Sequence, residues 1–215
     1  LDYRSRTNYN NTAVPSMAYR VGASYVTGSH AFKFGWNNTT GSLDENQYVL
    51  NPLAYRFNNG VPNQLTQRTN FRARTNLDQD MGLYAQDRWT MNRLTVAAAI
   101  RFDMFKTGFP EQTLGPDLFT PNRNVTFPAA DNINWKDLTY RSGFSYDVFG
   151  NGKTALKVAF NKYLLGQTLN ALGSASNPVT TAVTSTTRNW NDTNGNFVPD
   201  CALTSLDANG ECGPV

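Results

Sequence analysis

The sequence predicts an all-β protein, an antiparallel up-and-down sheet built from β-hairpins that resembles a segment of an outer-membrane β-barrel with long extracellular loops. Three times, two strand-like stretches are joined by a very short turn, and a long polar loop separates each pair from the next. Within each stretch apolar and polar residues alternate, which gives a strand one apolar and one polar face. Short turns at one end and long loops at the other are typical of outer-membrane barrels.

The predicted strands form four pairs. Three short turns, around Gly28, Asn92 and Gly150, join the principal hairpins. A fourth turn at Asn58-Asn59-Gly60 has the composition of a two-residue hairpin turn. We therefore predict a hairpin segment over residues 1–165 and an extracellular loop over residues 166–215. The predicted strands cover residues 17–26, 31–38, 47–57, 62–71, 81–89, 94–105, 136–148 and 154–165.

Alternation by itself does not separate a barrel from a soluble β-sandwich, because a sandwich shows the same period. Three details favour a membrane. The stretches are close to the 9–11 residues that a tilted strand needs to cross the hydrocarbon. Their polar faces carry Lys, Arg and Asp beside glycine, which suits a wet or plugged lumen. Aromatic residues fall near strand ends, where interface girdles lie: Tyr25, Trp36, Trp89, Phe105, Trp135 and Phe149.

Composition excludes some classes of function. Only 16% of the 215 residues are charged and the net charge is +3, which is too small and dispersed to indicate a nucleic-acid partner. No run of 18 apolar residues exists, so no transmembrane helix is predicted. Residues 2–11 read as a polar loop. Six principal strands are too few to close a membrane barrel, so we expect partners along the sheet edges, either the rest of a parent barrel or other copies.

Several motifs resemble the TonB-dependent outer-membrane receptors, and in particular their Oar-like branch, which is abundant in acidobacteria. Residues 82–89 (GLYAQDRW) with residues 92–103 are similar to the "YAQD-W…RLT…G-RYD" hairpin of that family. Residues 28–35 are similar to its "GSH-FKFG" strand, and residues 141–154 to its "PRLG-AYDVFGNGKT" hairpin, with Tyr140 where proline is usual. Residues 190–213 are similar to one of its extracellular loops.

This resemblance implies a barrel of roughly 22 strands, plugged by an N-terminal domain, that imports a bulky nutrient with energy relayed from the inner membrane. The chain shows neither a plug nor an energy-coupling box, so on its own it is expected to form wall and surface loops without transport. The implied location is the outer membrane of a Gram-negative bacterium, with membrane lipid and the rest of the parent barrel as partners.

Residues 192–200 match part of a calcium-loop pattern. Asp192, Asn194, Asn196 and Asp200 occupy positions 1, 3, 5 and 9, and the Val198 carbonyl is available at position 7. Alternate oxygen donors on a tight loop are the ligands that Ca²⁺ prefers. The pattern departs from the EF-hand loop in lacking glycine at position 6 and glutamate at position 12. The alternative is an Asx/Gly turn with solvated carboxylates.

The remaining candidates are a cysteine pair and three arginines. Cys201 and Cys212 are the only cysteines, and in an exported protein they predict a disulfide, with free thiols as the alternative. Arg68, Arg72 and Arg74 could contact an anionic ligand or could form a solvated loop face.

Two functional classes remain open. No nucleophile has a matching motif, and His30 is expected to serve a turn, so we do not expect an enzyme. The first class is a segment of an outer-membrane receptor/transporter. The second is an extracellular structural or adhesive β-protein that assembles with other copies through open strand edges.

Overall fold

Antiparallel β-strands dominate the computed structural model, which describes residues 6–215. Strands make up 62% and helices 5%, so the predicted all-β fold is confirmed. Residues 1–5 of the predicted hairpin segment and leading loop lie outside the described part. The strands are β1 (Asn8–Ala13), β2 (Ser16–Thr27), β3 (His30–Val49), β4 (Leu53–Asn58), β5 (Val61–Arg68), β6 (Phe71–Met91), β7 (Leu94–Phe109), β8 (Gln112–Leu114), β9 (Val125–Phe127), β10 (Ala130–Asp147), β11 (Ala155–Asn161) and β12 (Ser185–Asn189).

One large sheet contains seven of these strands. Its order is β1-β3-β6-β7-β10-β11, and β2 also pairs with β3. β1 and β2 follow each other along a single edge of β3, because β1 pairs with its last residues and β2 with its first. Every pairing in the sheet is antiparallel. The sheet is therefore an up-and-down arrangement of hairpins, as predicted.

The short turns fall where the sequence places them. Gly28 has φ +55° between β2 and β3, and Asn92 has φ +44° between β6 and β7. Asn59 and Gly60 both have positive φ between β4 and β5, as a type I′ hairpin turn requires. Between β10 and β11 the carboxylate of Asp147 accepts hydrogen bonds from two backbone N–H groups of the turn, at 3.0 and 2.8 Å.

Most strands extend beyond the predicted ranges, whereas β11 (Ala155–Asn161) is shorter than the predicted strand at 154–165. β3 and β6 have 20 and 21 residues, and they pair with each other from the short turns to residues 47 and 71. The predicted strands at residues 47–57 and 62–71 are therefore divided between this large sheet and a small one, of order β12-β5-β4. Residues 8–11, predicted as loop, begin β1. Backbone pairing, not side-chain alternation, defines these polar extensions, which explains why periodicity does not reveal them.

Irregularities in neighbouring strands align at one level of the large sheet. The register shifts near Gly41 of β3, Leu77 of β6 and residues 132–133 of β10, and the break between β1 and β2 lies opposite residues 42–43. We call the part of the sheet toward the short turns the lower half and the remainder the upper half. The lower half-strands of β2, β3, β6, β7 and β10 have about 12–14 residues, slightly more than a tilted membrane strand requires, and β11 has 7.

Among residues 6–215, the buried apolar side chains lie in the upper half of the large sheet, in the small sheet and in the segments packed on them. One cluster contains Leu65, Trp190 and Cys212, and a second contains Ala73, Leu114 and Val179. Short helical turns at Leu169–Gly173, Ser174–Ser176 and Pro178–Thr181 contribute to the second cluster. No helix within residues 6–215 has the length and hydropathy needed to span a membrane.

A buried asparagine attaches these helical turns to the large sheet. The side chain of Asn177 donates to the Arg74 carbonyl at 2.9 Å and to the Thr75 hydroxyl at 3.2 Å. Its oxygen accepts from Val179 N at 3.1 Å, which caps the last helical turn. The helical segment is thus fixed against β6 by hydrogen bonds that the sequence pattern did not indicate.

Candidate functional site

The lower half of the large sheet is a wall with two chemically different faces. Cross-strand register places Ala23, Phe34, Ala85, Ile100 and Tyr140 in one row on one face. The adjacent row, on the other face, contains Gly22, Gly35, Tyr84, Arg101 and Thr139. The predicted separation of the faces is therefore confirmed for the three principal hairpins, while the fourth predicted pair lies partly in the small sheet.

The apolar face of this wall is uncovered. Val21, Leu83, Ile100, Leu138 and Phe160 expose 65%, 53%, 49%, 56% and 66% of their surface. The exposed apolar area continues across six neighbouring strands, which is far more than scattered surface residues provide. An area of this kind marks an interaction surface. We call this face the apolar wall.

The opposite face, which we call the polar wall, is built from side chains that lie flat over glycines. The ring of Tyr84 covers Gly35 so closely that a Cβ there would collide with it. Arg101 covers Gly82 in the same way, and it donates to Asn37 Oδ1 at 3.2 Å and to Asp103 Oδ1 at 2.7 Å. Glycine therefore gives large polar side chains room to bridge neighbouring strands.

A hollow of about 390 Å³ opens on the polar wall near the level of the register shifts. Arg101, Asp103 and Asp137 line it together with Phe105 and Trp135. Phe105 and Trp135 fall near strand ends in the predicted hairpins, where interface girdles lie, and in the structure both face the polar wall. The two residues are separated by an even number of positions from Asp103 and Asp137, so the period-2 pleat points them to the polar wall.

Above the wall, the small sheet and residues 190–215 form a second compact part, which we call the cap. The predicted disulfide is present, with Cys201 and Cys212 joined at a Cα–Cα distance of 5.9 Å. Cys212 packs with Trp190 and Leu65 in the buried cluster of the cap. β12 pairs with β5, so residues 166–215, predicted as a loop, supply one strand of a sheet.

A buried guanidinium holds the cap together. Arg188 in β12 is 2% exposed, and its side chain donates to the carbonyl oxygens of Gly213, Ser205 and Asp207 at 2.6–2.9 Å. An arginine offers five N–H donors in a fixed plane, which allows one side chain to satisfy carbonyls of several loop residues. Sequence reasoning missed this residue, because nothing in a polar strand distinguishes a buried arginine from an exposed one.

The candidate calcium loop lies on the cap surface as a series of Asx turns. The Asp192 carboxylate accepts backbone N–H groups of Gly195, Asn196 and Phe197 at 2.9–3.2 Å. Side-chain amides of Asn194 and Asn196 both reach Asp200 Oδ2, at 2.6 and 3.0 Å. The structure thus brings Asn194, Asn196 and Asp200 together, while Asp192 organises the backbone around them.

Glu211 supports this loop from the side. Its carboxylate accepts from the hydroxyl and the backbone N–H of Thr193, both at 2.7 Å, and from Trp190 Nε1 at 3.4 Å. These hydrogen bonds, the Thr193 hydroxyl first, lower the pKa of Glu211 from 4.5 to about 2. Among residues 6–215, no three His, Cys, Asp or Glu side chains converge in a way that could hold a metal ion.

The three candidate arginines belong to two different sheets. Arg68 lies in β5 of the cap, whereas Arg72 and Arg74 lie in β6. Arg74 Nε is 3.5 Å from Asp44 Oδ1 across the strand pair. Their role in contacting an anionic ligand stays a prediction.

Comparison of the chain with known protein families, curated proteins and solved structures gives no match.

Proposed function

We propose that this chain forms part of the wall and surface loops of an outer-membrane receptor/transporter for bulky nutrients, and that it does not transport alone. The continuous apolar wall of the lower half carries this proposal. A sheet whose outer face is apolar and whose inner face is polar suits a barrel that separates lipid from a wet lumen. The cap and the upper half then correspond to extracellular loops.

The dimensions of the lower half support this assignment. Five of the six half-strands have about 12–14 residues, which is long enough for a tilted strand to cross the hydrocarbon, and Tyr25 and Trp89 lie on the apolar wall near the short turns. The disulfide lies in the cap, where an oxidising extracellular environment is expected under this proposal. The outermost strands of the large sheet each have one open edge, which the rest of a parent barrel would cover.

The alternative is an extracellular structural or adhesive β-protein. The same open edges favour it, because an unpaired strand offers a row of N–H and C=O groups to another copy. In that arrangement the apolar wall would pack against protein rather than lipid.

Calcium binding at residues 192–200 is a separate part of the proposal. One feature of the loop fits the ion: Phe197 has φ +57° at the position where calcium loops use glycine for the sharp turn. The amide nitrogens of Asn194 and Asn196 face Asp200, so both amides would rotate to turn their oxygens toward an ion. Asp192, Asn194, Asn196, Asp200 and the Val198 carbonyl would supply the oxygens. The ion would stabilise the loop rather than take part in a reaction.

Two adjacent residues test the membrane proposal directly. Ile100 faces the apolar wall, and Ala99 faces the polar wall one position away. Ile100→Cys and Ala99→Cys would each be reconstituted in lipid bilayers and treated with a membrane-impermeant maleimide. We expect labelling of the cysteine at position 99 and protection at position 100.

The alternative predicts a different result. Under the alternative, the chain remains in solution without lipid or detergent, and position 100 is not protected after mixing with bilayers. That result would exclude a membrane-spanning wall. Protection at position 100 that appears only at high protein concentration, without lipid, would indicate assembly with other copies.

A further inference from the structure

Asp87 is the one acidic residue on the apolar wall among the described strand residues of the lower half. Register places it in a row with Phe32, Ala98 and Ser142, so its side chain leaves the sheet on the side that carries Phe34 and Ile100. A carboxylate on such a surface is costly unless a partner compensates its charge. Its position four residues before the end of β6 places it near the short turns, where a bilayer interface would lie under the proposed function.

His30 contacts one oxygen of this carboxylate. His30 Nδ1 and Asp87 Oδ2 are 2.6 Å apart, and because an ionised carboxylate can only accept, the histidine donates. The other oxygen, Oδ1, is buried and has no hydrogen-bond partner. The Asp87 side chain as a whole keeps 26% of its surface exposed on the apolar wall.

Aromatic rings surround one side of this pair. The His30 ring stacks on Phe32 and Trp89, with centroid distances of 5.4 and 5.1 Å. Trp89 in turn donates from Nε1 to the Ser29 hydroxyl at 3.0 Å, which fixes the ring beside the turn. Faces of aromatic rings attract cations, so the rings add to the preference of the carboxylate for a positive group.

On the other side of Asp87 the apolar wall is recessed. Ala98 and Ser142 follow Asp87 in its row, and bulky residues resume with Phe160. The depression beside Asp87 has a volume of about 380 Å³, and Phe34, Ala85 and Ile100 form its upper walls. It runs from the carboxylate toward the middle of the lower half, which is the direction an acyl chain would take from a headgroup at the interface.

We infer that Asp87 and the depression beside it bind a phospholipid whose headgroup carries a primary ammonium, such as phosphatidylethanolamine. The ammonium donates a hydrogen bond to the exposed part of the Asp87 carboxylate and compensates its charge, and one acyl chain occupies the recess over Ala98. This inference rests on the proposed membrane wall. It adds a specific lipid site to a face that otherwise needs only hydrocarbon.

Native mass spectrometry of the detergent-solubilised chain measures this preference. The probes are dioleoyl phosphatidylethanolamine, dioleoyl phosphatidylcholine and dioleoyl phosphatidylglycerol, which share acyl chains and differ in the headgroup. We expect the ethanolamine lipid to bind about tenfold more tightly than the other two, because a hydrogen bond between two charged groups is worth about a factor of ten or more. Phosphatidylcholine is the sharpest comparison, since its ammonium has no N–H.

Variants locate the site. Asp87→Asn should reduce the ethanolamine preference about tenfold, whereas Asp137→Asn, a matched change on the polar wall, should leave it unchanged. Ala98→Leu, which fills the recess and retains the carboxylate, should weaken all three lipids. Equal binding of the three lipids by the unaltered chain, or a preference that survives in Asp87→Asn, would overturn the inference.

The outcome is separable from that of the proposed function. A chain that enters bilayers with position 100 protected, yet shows no headgroup preference, would remove the lipid site and keep the membrane wall. A chain that does not enter bilayers of any composition would remove both. The comparison of the three lipids on the unaltered chain needs no variant, so misfolding of Asp87→Asn would leave the test intact.

Discussion

Single polar side chains determine much of the geometry of the cap. Glu211 illustrates this, because one carboxylate connects Thr193 at the start of the loop, Trp190 in the buried cluster and the backbone of Asp200 at 3.4 Å. A residue of this kind stabilises the cap only while it is ionised. Its protonation is therefore a test of how the loop is held.

The first prediction concerns pH. The folded pKa of Glu211, about 2, is below the ordinary value of 4.5, so the folded cap favours the carboxylate. Its contribution is complete above pH 4.5 and is lost as the pH falls from there through about 2. We expect the melting temperature of the cap, followed by near-ultraviolet circular dichroism, to fall over that interval.

Glu211→Gln is the control for this titration. The amide should give a less stable cap at pH 7 and remove most of the decrease between pH 4.5 and 2. If the variant and the unaltered chain lose stability equally over that interval, another group controls the acid transition.

Calcium binding is the second prediction at this scale. With two carboxylates and neutral oxygens, the loop should bind calcium weakly, with a Kd of the order of 10⁻⁴–10⁻³ M as in extracellular modules. Millimolar calcium should slow proteolysis between residues 190 and 201, and Asp200→Asn should abolish this protection. Asp207→Asn removes a carboxylate from the same segment outside the loop and should not. Equal cleavage with calcium and with chelator would leave residues 192–200 as an ordinary Asx turn.

At the scale of strands, the contact between Tyr84 and Gly35 explains how the polar wall stays close-packed without a covering layer. The third prediction follows from it. Gly35→Ala should destabilise the sheet by about 1–3 kcal/mol, because the added methyl displaces the Tyr84 ring. Gly22→Ala is the matched control: its nearest neighbours, Phe34 O and Tyr84 Oη, would be 3.7 and 3.9 Å from the new Cβ, which is ordinary contact.

A double-mutant cycle in urea measures this interaction. Tyr84→Ala in the Gly35→Ala background should recover part of the loss, since it removes the colliding ring. Additive effects of the two substitutions would mean that the ring and the glycine are not coupled.

The sequence predicted the elements that local chemistry determines. Alternation and turn residues identify the hairpins around Gly28 and Asn92, because period and positive φ are properties of neighbouring residues. The upper extensions of β3 and β6 were not predicted, since their pairing is between polar residues such as Asn46 and Arg72 that give no periodic signal. The disulfide followed from cysteine count. The burial of Arg188 did not, because it depends on carbonyls up to 25 residues away.

For the molecule as a whole, the structure separates into a wall without a buried core and a cap with one. The buried clusters lie in the cap and the upper half, while the lower half exposes its apolar face. The wall should therefore depend on its surroundings for stability, and the cap should depend on its own contacts.

The fourth prediction tests this independence. Arg188→Lys retains the charge but cannot reach three carbonyls, so buried acceptors lose their donors, each at a cost of about 1–3 kcal/mol. We expect the cap to open, with new proteolytic sites within residues 189–215, and the strand content of the wall to remain. Arg56→Lys, on an exposed arginine of β4, should change neither. Loss of strand signal throughout the chain in Arg188→Lys would show that cap and wall fold as one unit.

The pairing of β12 with β5 has a consequence for how the molecule reaches this structure. Ser185 meets Arg68 across more than a hundred residues, whereas each principal hairpin joins strands that are consecutive in the chain. Contacts between distant residues carry a larger loop-closure entropy and form more slowly. The cap should therefore close last, after synthesis has passed Gly213, whose carbonyl Arg188 requires. Until then β5 keeps an open edge, and that edge is where an incomplete chain would be most vulnerable to mispairing and proteases.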